Sequence, residues 1–511
     1  MITTPVRAGL SDIVVSNQKT YLNPPLPTPV RAGLSNILVS NQITRLNPPL
    51  PTPYSLLYRT LFMLQETLKP VSLTELKKSL KSQDMGQEIY KLVTDLYPIC
   101  RSITGNGVRE TLKIIKDYID LKIHEVPTGT EVFDWEVPKE WNIKDAYIKN
   151  SKGEKVVDFK KSNLHVVNYS IPVNKVVDWE ELKTHLFTLP DYPNRIPYRT
   201  SYYKESWGFC LSHEQFLTMQ DAEYEVFIDS TLEPGHLTYG EYYLEGESQE
   251  EVLISCHTCH PSLCNDNLSG IALATLLAKH LSEVSPRRYS YRFLFIPGTI
   301  GSITWLALNE DNVHNIKHGL VLTGVGDAGK FTYKKSRRGN AEIDRAVIHV
   351  LESSKQEHQV IDFFPYGYDE RQYCSPGFNL PVGCFMRSSH GQYSEYHTSA
   401  DNLSFVQPQY LAESFSQCLS VLNVLENNQT YLNQNPKCEP RLGKRGLYRA
   451  IGGHAEEQVN ELALLWVLNL TDGEHSLLDI AEQTKFSFDV IKKAADALLE
   501  NALLKLKVES K

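Results

Sequence analysis

Between residues 223 and 325 the chain alternates short apolar runs of strand type with stretches of helical periodicity, and this alternation constrains the fold more than any other feature. Residues 223–228, 252–256, 291–296 and 319–325 read as strands, and residues 271–281 and 302–308 read as helices set between them. A strand covered on both faces is apolar along its whole length, and a helix joining two parallel strands must cross the sheet. The pattern therefore predicts an α/β domain with a mostly parallel sheet and helices on both faces. In such sheets ligands sit beyond the carboxyl ends of the strands, which directs attention to the residues after Cys256, Ile296 and Val325.

The flanking segments have other textures. Thr4-Pro5-Val6-Arg7-Ala8-Gly9-Leu10-Ser11 returns as Thr28-Pro29-Val30-Arg31-Ala32-Gly33-Leu34-Ser35, so residues 1–53 form a tandem repeat, rich in Pro and Asn and expected to be disordered. Residues 54–85 read as a linker with helical character. A globular domain is expected over 86–432, interrupted by a β-rich insertion at 127–207. Residues 437–511 carry three short helical patterns and a terminal strand, the outline of a winged helix.

Composition narrows the function. A net charge of -9 argues against broad capture of nucleic acid or anionic membrane. No run of about 18 apolar residues predicts a membrane span. The start of the chain lacks the basic-then-apolar pattern of a secretory signal, and nine cysteines without one are expected to be reduced thiols in a cytoplasmic protein. The candidate recognition stretch, Ser487-Phe488-Asp489-Val490-Ile491-Lys492-Lys493, is poor in cations. DNA-binding regulation is thus a weaker reading than packing or homo-oligomer formation through the C-terminal domain.

The chemistry gathers in two motifs. The strand at 252–256 runs into His257-Thr258-Cys259-His260-Pro261 and then Asn265-Asp266-Asn267-Leu268-Ser269-Gly270. A zinc site needs imidazole and carboxylate on rigid elements, and a strand end followed by a helix start supplies both. Far downstream stands Tyr396-His397-Thr398-Ser399-Ala400-Asp401-Asn402-Leu403. Cys256, Cys259 and Cys264 offer an alternative, a structural zinc knot or redox pair, but no second Cys pair completes it nearby. Lys334, Lys335, Arg337 and Arg338 are either a solvated loop or a grip for a substrate carboxylate or phosphate.

Together the two motifs resemble the zinc aminopeptidase and glutamate-carboxypeptidase-type exopeptidases, in which a His, a metal-bridging Asp and a late His recur in this order. A bacterial subgroup of aminopeptidase-like proteins, often met near polysaccharide-biosynthesis genes, is closer still. It carries the His-x-Cys-His-Pro-Ser and Asp-Asn-Leu-Ser-Gly runs, a β-rich insert and a winged-helix-like domain. The resemblance implies His257, Asp266 and His397 as metal ligands, with His260 an alternative first ligand that spacing cannot separate from His257. It implies zinc, as one ion or two, and a peptide or aminoacyl-type substrate. The loop from Asp369 to Tyr373 is similar to the family's substrate-facing wall, so Arg371, Tyr373 and Tyr396 are the expected substrate contacts.

The chain departs from the pattern at one place that matters. Pro297-Gly298-Thr299-Ile300-Gly301-Ser302 has Gly298 where the family's general-base glutamate is expected, and the nearest acid to the family's later Asp ligand, near Thr323, is Asp327. Acid–base help would then have to come from Asp327, Asp369 or Glu370. Two readings stay open: a metal-dependent hydrolase of peptide or amide bonds, impaired at Gly298, and a binding protein on the same fold without hydrolysis.

Overall fold

The computed structural model describes residues 71–448 and 460–507, so the tandem repeat at 1–53 lies outside the described residues. An eight-stranded mixed sheet organises the rest. Its strands are β1 (Lys122–Pro127), β2 (His236–Leu244), β3 (Glu251–His257), β4 (Ser290–Ile296), β5 (Ile316–Leu322), β6 (Phe331–Lys334), β7 (His358–Ile361) and β8 (Val382–Met386). They lie in the order β1-β2-β4-β3-β5-β8-β6-β7. The four central strands, β4, β3, β5 and β8, run parallel, and antiparallel pairings occur only toward the two edges.

Both faces of this centre are covered, as the apolar runs require. Along β3, Val252, Ile254 and Cys256 join one core while Leu253 joins the other; along β4, Tyr291, Phe293 and Phe295 face the first, and Leu294 and Ile296 the second. Helices α1 (Ser82–Leu96), α2 (Asn106–Lys116), α3 (Ser269–Ser282), α5 (Glu342–Ser354) and α6 (Pro408–Asn427) pack on the first face. The second is covered by α4 (Ile300–Leu308) through Ile300, Ile303, Trp305 and Leu306. The expected boundary at residue 86 falls inside α1. A side chain at Gly86 would collide with the backbone carbonyl of Pro408, so glycine is what lets α1 approach the start of α6.

Two expectations need correction. The strand read at 223–228 is not part of the main sheet. It belongs to Glu223–Glu233, an inner strand of a separate four-stranded antiparallel sheet with Lys155–Asp158, Glu140–Lys149 and Val173–Asp178. The insertion therefore runs past 207 to about 233. Its residues alternate between buried and partly exposed, which marks a sheet with one wet face and differs from the continuous burial of β3. At the other end, Thr430–Asn433 pairs with Asp472–Ser476 and Leu504–Leu506, so the winged helix begins before residue 437. Its helices are α7 (Glu461–Leu470), α8 (Leu477–Thr484) and α9 (Phe488–Glu500). They dock on the α/β domain through ion pairs from Arg345 of α5 to Asp479 and Glu482. Asp489, at the start of α9, holds Lys77 at 2.7 Å and Asn423 at 3.0 Å.

Candidate metal centre

The carboxyl end of β3 delivers His257, and the chain returns to the same spot with Asp266 just ahead of α3. The Asp266 carboxylate is the point of convergence. Its Oδ1 lies 2.8 Å from His257 Nε2, and its Oδ2 lies 2.9 Å from His397 Nε2 and accepts the Tyr368 hydroxyl at 2.6 Å. Ligand atoms of His257, His260 and Asp266 all fall within 4.8 Å of one another. His257 and His260 are therefore members of one cluster, where spacing alone had left them as alternatives. Burial disfavours a charge on Asp266, but the imidazoles of His260, His257 and His397 outweigh it and hold the carboxyl well below its usual range. Burial also drives His260 toward its neutral form.

A surrounding layer sets these groups in place. Tyr368 stacks on His257 and Tyr396 on His397, each with ring centres 4.0 Å apart, and the two tyrosine hydroxyls meet at 3.1 Å. The Asn267 amide donates to the Leu322 carbonyl at 2.9 Å and lies 3.3 Å from His257 Nδ1. Asp401 accepts the backbone N–H groups of Asn265 and Asp266 at 2.6 and 3.0 Å, so the late motif clamps the loop that carries the carboxylate. Burial pushes the Asp401 carboxyl up to about 8, with those N–H groups opposing it and Asp266 adding to it. His397 has a left-handed backbone (φ 53°), held where its carbonyl accepts the Tyr198 N–H at 2.8 Å; such strain is retained where surrounding structure imposes it. Three imidazoles and one carboxylate on fixed elements suit zinc in charge and softness. His260 adds to the fit, since among the described residues the hydrogen-bond contact of its ring nitrogens is a long 3.7 Å one with the Cys259 sulfur.

The acids expected to supply acid–base help fare differently. Asp327 is spent on hydrogen bonds from Asn265 (3.1 Å), Gly329 (2.9 Å) and Ser388, and does not line the cleft at the cluster. Glu370 is fully buried and ion-paired with Lys334, which also donates to the Phe364 and Tyr366 carbonyls. Lys334 is thus neither a solvated cation nor a substrate grip. Lys335 pairs with Asp362, while Arg337 and Arg338 hold Asn379. Asp369 alone stands beside the gap. A Cβ on Gly298 would lie 3.6 and 3.7 Å from its two oxygens and 3.1 Å from the His257 Cβ. Its Oδ1 accepts the Ser302 hydroxyl at 2.7 Å, and its Oδ2 is buried without a hydrogen-bond partner among the described residues. Burial pushes this carboxyl up to about 6, against the pull of His257 and Ser302.

Of the expected substrate contacts, Tyr373 is buried in the sheet core with its hydroxyl 3.0 Å from Ser255, out of reach of any ligand. Tyr396 backs His397. Arg371 does line a cleft of about 320 Å³, together with His260, His397, Gly298, Tyr368 and aromatic residues of the insertion. The three neighbouring cysteines, 256, 259 and 264, are buried free thiols, and among the described residues they form no metal cluster of their own. Tyr368 and Asp401 were not singled out from sequence. Their signal was position only, Tyr368 directly before the Asp369-Glu370 pair and Asp401 four residues after His397.

A family model described as a domain of unknown function, DUF4910, matches residues 90–428, and one described as a winged helix-turn-helix matches residues 429–506. A Clostridium acetobutylicum protein, named as a candidate polysaccharide-biosynthesis protein with an aminopeptidase-like domain, is 59% identical over 425 residues, 83% of this chain and 98% of its own. The crystal structure of a candidate peptidase from the same organism is 58% identical, covering 83% of this chain and 97% of that one, with a TM-score of 0.80. A zinc aminopeptidase from Bacillus subtilis shares the fold at 11% identity and a TM-score of 0.50, over 66% of this chain and 95% of its own.

Proposed function

This chain belongs to the family described as DUF4910, matched from residue 90 to residue 428, and from that premise we propose that it is a zinc-dependent, aminopeptidase-like hydrolase of peptide or amide bonds. The observation that carries the reading is the convergence of His257, His260 and His397 on Asp266 at the carboxyl end of a central parallel strand. Asp266 and the histidines around it would hold the metal, with His257 and His260 grouped within 4.8 Å and His397 at the second oxygen of the carboxylate. Bound zinc supplies Lewis acidity and brings the pKa of a coordinated water to about 7. We favour one ion over two, because Gly298, Thr299 and Thr323 stand where the resemblance expects the carboxylates of a second.

The chain's own residues divide the remaining work. Tyr368 and Tyr396 fix the two histidines by stacking, and the Tyr368 hydroxyl holds one oxygen of Asp266. The cleft beside His260 and His397 seats the substrate, with Arg371 as its cation. Asp369 is the acid left to exchange a proton near the scissile group, from behind Gly298. It is recessed, so hydrolysis is slow in this reading. The second reading, a binding protein without turnover, is favoured by that same glycine. We place the protein in the cytoplasm on its cysteine usage. Among the described residues no helix is long and apolar enough to cross a membrane. A setting in polysaccharide biosynthesis follows the name of the Clostridium relative.

Metal content per chain and chelator-sensitive turnover of aminoacyl amides and of N-acyl amides without a free ammonium test this together. One zinc per chain, lost in His397→Ala, with turnover abolished by chelator, is the expected result. A His397→Ala protein that kept its zinc would overturn the ligand assignment, and zinc without any turnover would move the protein to the second reading.

A further inference from the structure

The cleft in front of the histidine cluster has a polarity that a site for free peptide amino termini would not need. Among the described residues that line it, none is Asp or Glu. A substrate ammonium group would find no carboxylate there to pair with, since Asp266 is already claimed by two imidazoles and a tyrosine. The lining does hold a guanidinium. Arg371 makes no ion pair among the described residues, although Asp369 and Glu370 precede it directly, and its Nε is buried without an acceptor. A planar cation in that condition is suited to a ligand carboxylate.

The outer wall gives the second half of the recognition. Trp135, on a short hairpin of the insertion, and Tyr203 stand with ring centres 5.5 Å apart and are 47% and 57% exposed. Both belong to the cleft. Large aromatic side chains left this open offer one apolar face while the ligand's other face stays in water. An aliphatic side chain gains little there, because only half of its surface is removed from solvent. A pyranose fits, having an apolar C–H face to stack and hydroxyls to leave hydrated. Deeper in, the Tyr198 and Tyr202 hydroxyls, 2.7 Å apart, and Thr200 provide polar partners for such hydroxyls.

We propose that the cleft takes an N-acylated amino sugar bearing a carboxylate, its ring on Trp135 and Tyr203, its carboxylate on Arg371 and its amide at the histidine cluster. The placement of the amide rests on the hydrolase reading above. The reaction would break the amide C–N bond, with water giving its hydroxyl to the acyl carbon and a proton to the nitrogen, releasing a carboxylic acid and the amino sugar.

Calorimetric titration of the full chain as purified, with D-glucuronate, D-glucose and leucinol as probes, tests the cleft without turnover. Glucuronate should bind about tenfold or more tightly than glucose, the scale of one charge-assisted contact. Arg371→Met should erase that preference while leaving glucose binding unchanged. Trp135→Ala should weaken both sugars, and leucinol should not displace glucuronate. Equal affinity for the two sugars, absence of sugar binding, or displacement by leucinol would overturn the proposal. The two readings fail separately. Amide turnover without glucuronate preference removes this inference and keeps the hydrolase; the preference without turnover removes the hydrolase and the placement of the amide, and keeps the sugar and carboxylate contacts.

Discussion

Replacing Gly298 by glutamate restores a carboxylate where the aminopeptidase-like pattern expects its general base, and the local geometry allows its effect to be worked out. The new Cβ meets the Asp369 oxygens at 3.6 and 3.7 Å, ordinary contact distances, and the His257 Cβ at 3.1 Å, which asks for a shift of a few tenths of an ångström. A Cβ at this position therefore needs only a small displacement of His257. The added carboxylate would face Asp369, whose own carboxyl is already pushed up to about 6 by burial. Two carboxylates sharing a site cannot both ionise cheaply, so the pair should carry one proton at neutral pH, with the glutamate as base and Asp369 as the retained acid. General acid–base catalysis is worth roughly 10² to 10⁴ in rate, about 3–5 kcal/mol of barrier. The assay is kcat/KM for aminoacyl amides, with zinc content measured on each preparation. Gly298→Ala is the steric control and should stay within a few-fold of the parent protein. A folded Gly298→Glu protein with the parent's zinc content and less than a tenfold gain would refute the reasoning.

Other consequences follow from buried groups elsewhere. His318 on β5 is 4% exposed, and burial, with Arg288 and Lys317 nearby, pulls its pKa down to about 3. The native state then binds fewer protons than the unfolded chain between pH 6.5 and 3, so this group costs stability as pH falls through that window. The cost reaches on the order of 2 kcal/mol by pH 5. His318→Leu should shrink the drop in melting temperature between pH 7 and 5, and an unchanged drop would count against the assignment. Lys334→Met leaves Glu370 buried without its cation and should cost about 3–5 kcal/mol in urea unfolding, against less than 1 kcal/mol if the pair were dispensable. The full chain should give no salt-sensitive retardation of genomic DNA fragments at micromolar protein, because the start of α9 is held by Lys77 and Asn423; retardation would show that face to be free.

The parts of this protein legible from sequence are those written in local periodicity and in order along the chain. Continuous apolar runs at β3, β4 and β5 report strands covered on both sides, and the alternating run at 223–228 reports a half-exposed strand of another sheet. The succession His257, Asp266, His397 pointed to residues that the fold does bring together, with both histidines on the Asp266 carboxylate. What a given acid or cation does there was decided by tertiary structure alone. Glu370 and Lys334 neutralise each other across 36 positions, Asp327 is consumed by Asn265 and Ser388, and Tyr373 turns into the sheet. Tyr368 arrives on Asp266 from 102 residues away. A charge's role depends on which partner reaches it once solvent is excluded, and that partner is chosen by the packing of the sheet and its loops, not by neighbours in the chain.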